Sequence, residues 1–213
     1  MNVFALLPAA GLSKRMGTEK LRLPIDGQPV LTRLIRVFRA AGVEKILAVL
    51  GPSTADLADV VQTAGGRALT LPEPTQDMQE TVQKGLAWIN ANWHPLHTDA
   101  FFLSPADFPA ITPAIVRQLK EVLDQHQQIL VVKPVHEGKR GHPVLCRWEL
   151  ANAMLNAAPG TGLNHVLAQY REATVTLDVA TPRVLMDMDT PEDYDQARVS
   201  MNDPETKHAF HSE

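Results

Sequence analysis

Short apolar runs and longer amphipathic stretches alternate along this 213-residue chain. Val3 to Leu7 is a continuous apolar run and predicts a strand. Beyond a glycine-containing break, Val30, Leu31, Leu34, Ile35, Val37, Phe38 and Ala41 recur at helical spacing, and Gly42 closes the segment. Ile46 to Leu50 predicts a second strand, and Thr54 to Ala64 a helix ending at Gly65-Gly66. Ala68 to Leu71 is a brief strand before Pro72 and Pro74 enforce a loop. Val82, Leu86 and Ile89 mark a helix, Ala100 to Leu103 a strand, and Ile115, Val116, Leu119, Val122 and Leu123 a helix after Pro113. Ile129 to Val132 and Pro143 to Cys146 predict strands flanking Glu137-Gly138-Lys139-Arg140-Gly141. Two shorter helical stretches follow, then strands at Val175 to Val179 and Val184 to Met188. A last helix begins at Thr190.

Alternation of this kind predicts an α/β fold: a mainly parallel, doubly wound sheet with helices on both faces. Ligands in such sheets bind beyond the carboxyl ends of the strands. The length suits one domain, here residues 1–200, with a polar, unpatterned tail over 201–213 expected to be disordered. The net charge of −4 argues against a broad basic face for nucleic acid, though not against a local cluster for a small anion. One cysteine, Cys146, precludes an internal disulfide and reads as a buried structural thiol. No apolar run is long enough to span a membrane, and the N-terminal run lacks the basic start of a signal peptide, so a cytoplasmic location is expected.

The chemistry starts where the first strand ends. The loop from Pro8 to Lys20 holds Ala9, Ala10, Gly11, Leu12, Ser13, Arg15, Gly17 and Lys20. Gly11 and Gly17 allow close approach of the backbone to a ligand, and loop amides can then face anionic oxygens. Arg15 offers a planar fork for phosphate and Lys20 a mobile point charge. This is the chemistry of a nucleoside triphosphate cradle, set against the plainer alternative of a flexible loop with surface cations. The glycine spacing fits neither the P-loop nor the dinucleotide fingerprint.

Candidate metal ligands follow. Asp107 sits between prolines in Ser104-Pro105-Ala106-Asp107-Phe108-Pro109, at the carboxyl end of an apolar strand. Magnesium favours a few carboxylates together with substrate phosphates; alternatively Asp107 caps the turn. In Asp187-Met188-Asp189-Thr190-Pro191-Glu192-Asp193, Thr190 reads as an N-cap, Pro191 as N1 and Asp193 as the acid of a capping box. Asp187 is left without a structural role and is the better candidate for a second ligand, while Asp189 suits either purpose. The two share a face if the strand persists.

With these motifs together the chain resembles the MobA-like nucleotidyltransferases, and among them the molybdenum cofactor cytidylyltransferases. The opening motif A-A-G-x-S-x-R-M-G-x-x-K of that family matches Ala9 to Lys20. Its D-x-P matches Asp107-Phe108-Pro109, its R-G-H-P matches Arg140-Gly141-His142-Pro143, and its D-x-D-T-P-E-D matches Asp187 to Asp193. The resemblance implies a Rossmann-like, GT-A-like nucleotidyltransferase fold and transfer of CMP from CTP to the phosphate of molybdopterin, with release of pyrophosphate. It implies that Arg15 and Lys20 hold the triphosphate and that the Ala10 to Ser13 amides meet base and phosphates. Asp107 with Asp187 would hold Mg²⁺, for which Mn²⁺ may substitute. Thr81 lies where relatives place a serine that binds base or phosphate, and equally reads as a residue of a helix N-terminus. Arg140, Gly141 and His142 would meet the acceptor. Ala9-Ala10, where guanylyl-transferring relatives carry two glycines, favours CTP over GTP. Two other readings stand beside this one: a different phosphorylated acceptor, a sugar or alcohol phosphate, and a non-catalytic carrier delivering cofactor to a molybdenum hydroxylase.

Overall fold

The computed structural model describes residues 1–11 and 20–201. The expected positions Leu12, Ser13 and Arg15, and residues 202–213 of the tail, lie outside the described residues, whereas Met201, expected in the tail, is buried at the end of the last helix. Eight strands form one sheet among the described residues: β1 (Val3–Ala9), β2 (Lys45–Leu50), β3 (Arg67–Thr70), β4 (Ala100–Leu103), β5 (Val131–His136), β6 (Val144–Arg147) and β7 (Thr174–Asp178), with the two-residue strand Lys139–Arg140 paired to β5 off the main path. Their spatial order is β7-β5-β6-β4-β1-β2-β3. β1, β2, β3 and β4 are parallel, β5 and β7 are parallel, and β6 runs antiparallel between β4 and β5. The sheet is thus mixed across its middle, where the sequence pattern gave no sign of strand direction.

The helices are α1 (Val30–Ala40), α2 (Ala58–Thr63), α3 (Met78–Trp93), α4 (Pro113–Gln125), α5 (Glu149–Leu155), α6 (Leu163–Ala168) and α7 (Pro191–Met201). None of the described helices is long and apolar enough to cross a membrane. The period of two in β1 divides the core. Ala5, Leu7 and Ala9 face the layer containing α1, α4 and α7, whereas Phe4 and Leu6 face the layer containing α3, α5 and α6. Both faces of the central strand are buried, which is why its sequence is continuously apolar.

Contact between α3 and the sheet depends on Gly85. A Cβ there would overlap Leu6 Cδ1 and lie 2.9 Å from Val49 Cγ2. Gly85→Val is therefore expected to lower stability by about 2 kcal/mol, within the usual range for overpacking a core. Urea unfolding should show a lower midpoint with an unchanged slope.

Two predicted elements take other forms. The helix expected over Thr54 to Ala64 begins instead as a 3₁₀ segment, Pro52–Leu57, and becomes α2 only at Ala58. Thr54 explains the tighter turn. Its buried hydroxyl accepts from Gly51 N at 3.0 Å and donates to Ala9 O at 2.9 Å, tying the turn to the end of β1. The strand expected over Val184 to Met188 is absent. Pro182–Leu185 is a 3₁₀ turn capped by the Thr181 hydroxyl, and irregular backbone follows. Val184 and Met188 are fully buried, which gives the segment a strand-like apolar alternation without a partner strand.

Candidate active site

Backbone hydrogen bonds gather the site at the carboxyl edge of β1 and β4. Ser104 N donates to Leu6 O and Ala106 N to Pro8 O, both at 3.2 Å, so the Asp107 loop runs beside the end of β1. Met188 N donates to Asp107 O at 3.1 Å and brings the C-terminal acidic motif to the same place. Asp187 and Asp189 thus arrive through a pinned loop rather than on one face of a strand.

Lys20 is the centre of this cluster. Its Nζ lies 2.6 Å from Asp107 Oδ2 and 2.9 Å from Asp189 Oδ1. Burial works against the ammonium, but Asp107 and then Asp189 outweigh it and hold its pKa above the ordinary lysine value. Thr190 and Asp193 form the expected capping box: Asp193 N donates to Thr190 Oγ1 at 3.2 Å, and Asp193 Oδ2 accepts from Thr190 N at 2.8 Å. Capping by Asp193 leaves Asp189 available to Lys20.

The donor set fits a divalent cation bound together with substrate. Asp107 Oδ1 is buried and has no hydrogen-bond partner among the described residues. The Asp187 carboxyl is pushed above its usual range, first by burial and then by Asp189 and Asp107. Added positive charge would satisfy both groups. Among the described residues no three His, Cys, Asp or Glu side chains converge on a metal-sized site. Magnesium is generally held by one or two carboxylates with its remaining ligands from phosphates and water.

Because the folded pKa of Asp187 is raised, its ionisation costs stability. The cost is absent below the ordinary carboxylate pKa, grows as pH rises through the raised value, and is complete above it. In the absence of metal and nucleotide, Asp187→Asn is expected to raise Tm at neutral pH. The gain should vanish in acid, as thermal unfolding across a pH series would show.

Two clefts that share Pro8, Asp77 and Met78 open near the end of β1. One, of about 320 Å³, is lined by Pro8, Ala10, Gly11, Gln76, Met78 and Thr81, among others. Thr81 occupies the first turn of α3, behind the Asp77 N-cap. Its hydroxyl is 2.6 Å from that of Thr75 and donates to Asp77 O at 3.1 Å, so it already has partners. The second cleft, of about 330 Å³, lies between the Leu103, His142 and Val144 floor and the start of α6, with Leu163 and Leu167. His142 packs edge-on against Phe108, with ring centroids 4.7 Å apart. Burial lowers its pKa, opposed by a hydrogen bond to the Leu103 backbone and by Asp107, so the site favours the neutral ring. Its Nδ1 is buried without a hydrogen-bond partner.

The structure brings Ala9, Ala10, Gly11, Lys20, Asp107, Asp189 and His142 to one edge, with Asp187 inside the same electrostatic cluster. Arg140 is exposed on a two-residue strand, Lys139–Arg140, paired with β5. The turn between them uses Glu137 and Gly138, both at positive φ, as a tight hairpin requires. Gly141 and His142 are held from behind: Gly141 N donates to Pro134 O at 2.9 Å and His142 N to Val184 O at 2.8 Å. A Cβ on Gly141 would overlap the Val184 carbonyl oxygen and lie 2.7 Å from Val184 Cβ. Gly141→Ala should therefore displace His142 from the second cleft. If the second cleft takes the acceptor, as the family resemblance implies, steady-state kinetics should show KM for the acceptor raised about tenfold and KM for the nucleotide little changed.

Sequence reasoning missed Phe108 as the platform for His142. Cys146 is inert as expected, since burial pushes its thiol up to about 12.

An acidic cluster around a lysine, beside a small-residue loop, lies at the carboxyl edge of an α/β sheet where such folds bind ligands, and the family match below makes the protein an enzyme of the nucleotidyltransferase class. The chain belongs to the MobA-like NTP transferase domain family, whose sequence profile matches residues 5–174. It is 24% identical over 196 residues to the molybdenum cofactor cytidylyltransferase of Escherichia coli (strain K12), covering 91% of this chain and 94% of that protein. Its fold is shared with Rv0371c from Mycobacterium tuberculosis H37Rv (TM-score 0.73, 22% identity, 93% of this chain and 97% of that one). A complex of that protein with manganese superposes with TM-score 0.70 and 22% identity over 94% of this chain and all of the other (100%). A CMP:2-keto-3-deoxy-manno-octonic acid synthetase complexed with CTP also superposes, with TM-score 0.70, 17% identity and coverage of 94% and 98%.

Proposed function

We propose that this protein transfers CMP from CTP to the terminal phosphate of a molybdopterin-type cofactor and releases pyrophosphate. The observation that carries the reading is Lys20, held between Asp107 and Asp189 at the edge of the sheet where β1 ends. The similarity to the Escherichia coli cytidylyltransferase supports both the nucleotide and the acceptor.

In this reading the triphosphate enters across Ala9, Ala10 and Gly11, with Leu12, Ser13 and Arg15 completing the cradle. Lys20 exchanges a carboxylate for phosphate oxygens and orders the leaving pyrophosphate. The acceptor phosphate approaches from the second cleft, past Arg140, Gly141 and His142, and its oxygen attacks the α-phosphorus in line with the departing oxygen. Asp107 and Asp187 would hold Mg²⁺, or Mn²⁺ in its place, and that ion would neutralise charge on the reacting phosphates. No side chain is needed as a covalent nucleophile. Positioning and charge neutralisation account for the chemistry. The preference for CTP rests on Ala9-Ala10, where guanylyl-transferring relatives carry two glycines; Ala10 is among the residues of the first cleft, and a methyl at that turn would narrow the slot for a purine.

The test is pyrophosphate release with Mg²⁺, comparing CTP with GTP, with and without molybdenum-pterin cofactor. Release from CTP that depends on the cofactor supports the reading. Release from GTP reverses the base assignment, and release only with a sugar or alcohol phosphate replaces the acceptor. Binding of nucleotide and cofactor without release would favour a carrier that serves a molybdenum hydroxylase.

A further inference from the structure

Residues 156–162 connect α5 to α6, and Gly160 and Gly162 in that connection line the second cleft. Ala158, Gly160 and Gly162 are exposed. Both glycines have positive φ, 77° and 79°, and a Cβ on either would meet nothing within 4 Å, so that side of the loop is open rather than packed. The loop is held by polar bonds instead. Gln79, in the first turn of α3, is 3% exposed and itself lines the second cleft. Its Nε2 donates to Ala158 O at 2.8 Å and to Ala157 O at 3.2 Å, and its Oε1 accepts from Gly162 N at 2.8 Å. One amide thus brackets the turn that Thr161 N closes on Ala158 O at 3.1 Å. A buried amide whose donor and acceptor ends both serve one loop fixes its own rotamer and the loop together.

One turn further along α3, Gln83 makes a similar clasp on different backbone. Its Nε2 donates to Met154 O at 2.9 Å, to Ala157 O at 3.0 Å and to Leu155 O at 3.3 Å, so it ties down the end of α5, upstream of the two glycines. The start of α3 is secured independently of either glutamine. Asp77 Oδ1 accepts from Glu80 N at 2.8 Å, and Glu80 Oε2 accepts from Gln76 N at 2.7 Å. Loss of the Gln79 amide would therefore release the loop and leave in place the helix start, with the Met78 and Thr81 wall of the first cleft.

We infer that Gln79 is a positioning residue for the acceptor: its amide fixes the Gly160 and Gly162 edge of the second cleft and so sets the width of the site above the Leu103, His142 and Val144 floor. This deepens the proposed function and rests on the assignment of the second cleft to the acceptor.

The experiment compares wild type, Gln79→Met and Gln83→Met. Methionine keeps the length of the side chain and removes its hydrogen bonds. Hydrogen–deuterium exchange of the ligand-free proteins comes first. Gln79→Met should speed exchange about tenfold in the segment that holds the Gly162 amide and leave the start of α3 unchanged. Steady-state kinetics with CTP, Mg²⁺ and molybdenum-pterin cofactor follow. Gln79→Met should raise KM for the cofactor about tenfold and hold KM for CTP within about twofold, as misplacement of one binding wall requires. Gln83→Met should lower Tm as Gln79→Met does, yet keep KM for the cofactor within about twofold of wild type. If Gln79→Met does not fold, Gln79→Asn, whose amide is too short to span the gap, carries the same comparison. An unchanged KM for the cofactor would overturn the inference, as would equal rises for cofactor and CTP or the same rise in Gln83→Met. Absence of cofactor-dependent pyrophosphate release in wild type would instead count against the proposed function. The exchange comparison then decides whether Gln79 holds the wall, and equal exchange in wild type and Gln79→Met would overturn that.

Discussion

Asp107→Asn is expected to lower the rate of nucleotidyl transfer by about a thousandfold while the protein stays folded. The substitution keeps the shape of the side chain and removes its charge. It alters the group whose Oδ1 is buried without a partner and whose Oδ2 meets Lys20 at 2.6 Å. Charge stabilisation of a phosphoryl transition state by a bound metal is worth several kcal/mol, and each 1.36 kcal/mol is about a factor of ten in rate. The loop itself is held by main-chain bonds, Ala106 N to Pro8 O and Met188 N to Asp107 O, which asparagine leaves in place. Circular dichroism should therefore be unchanged. Single-turnover kinetics at saturating CTP should show the loss in the chemical step, and near-normal turnover would remove Asp107 from the metal site.

Lys20→Ala should act on both nucleotide binding and chemistry, lowering kcat/KM for CTP by about a hundredfold, in the range found for loss of a preorganised charged or hydrogen-bonding group. It also leaves Asp107, Asp187 and Asp189 close together without their lysine, so the ligand-free protein should melt at a lower temperature. The pH dependence has a definite sign. The folded pKa of Lys20 is raised above its unfolded value, so its contribution to stability is fully present below the unfolded value and is lost as pH rises through the folded one. The difference in Tm between wild type and Lys20→Ala should accordingly be steady through neutral pH and shrink only in strongly alkaline solution. Unchanged CTP saturation kinetics in Lys20→Ala would show that the lysine does not touch the triphosphate.

The legible parts of the fold were those with a local physical cause. The strand at Ala100–Leu103 and the helix starting at Pro113 lie where the sequence put them, because a buried apolar run and a Thr-Pro start are local signals. The antiparallel course of β6 was not legible, since direction is set by the hairpin and cleft that carry the chain across the sheet. The strand wrongly expected over Val184 to Met188 shows the complementary failure. Two buried apolar side chains at even spacing imitate a strand, whereas Thr181-Pro182 is the same cap-and-proline signal that correctly marks α7. In the site, Lys20 and Asp107 stood out because their residue types sit at strand ends. Their ion pair did not, because the residues are 87 positions apart and meet only through the sheet. Thr81 was weighed equally as a ligand and as a residue of a helix start. The structure gives it the helical position and two hydroxyl partners at the wall of the first cleft.

The central claim is that CMP passes from CTP to a cofactor phosphate at the edge where Lys20, Asp107 and the second cleft meet. It is tested most directly by incubating the protein with CTP labelled at the α-phosphate, Mg²⁺ and molybdenum-pterin cofactor, and following the label by mass spectrometry. The account predicts label in a cofactor product heavier by one CMP, with one pyrophosphate released per product. Label that stays in CTP, or appears only as free CMP, would contradict it.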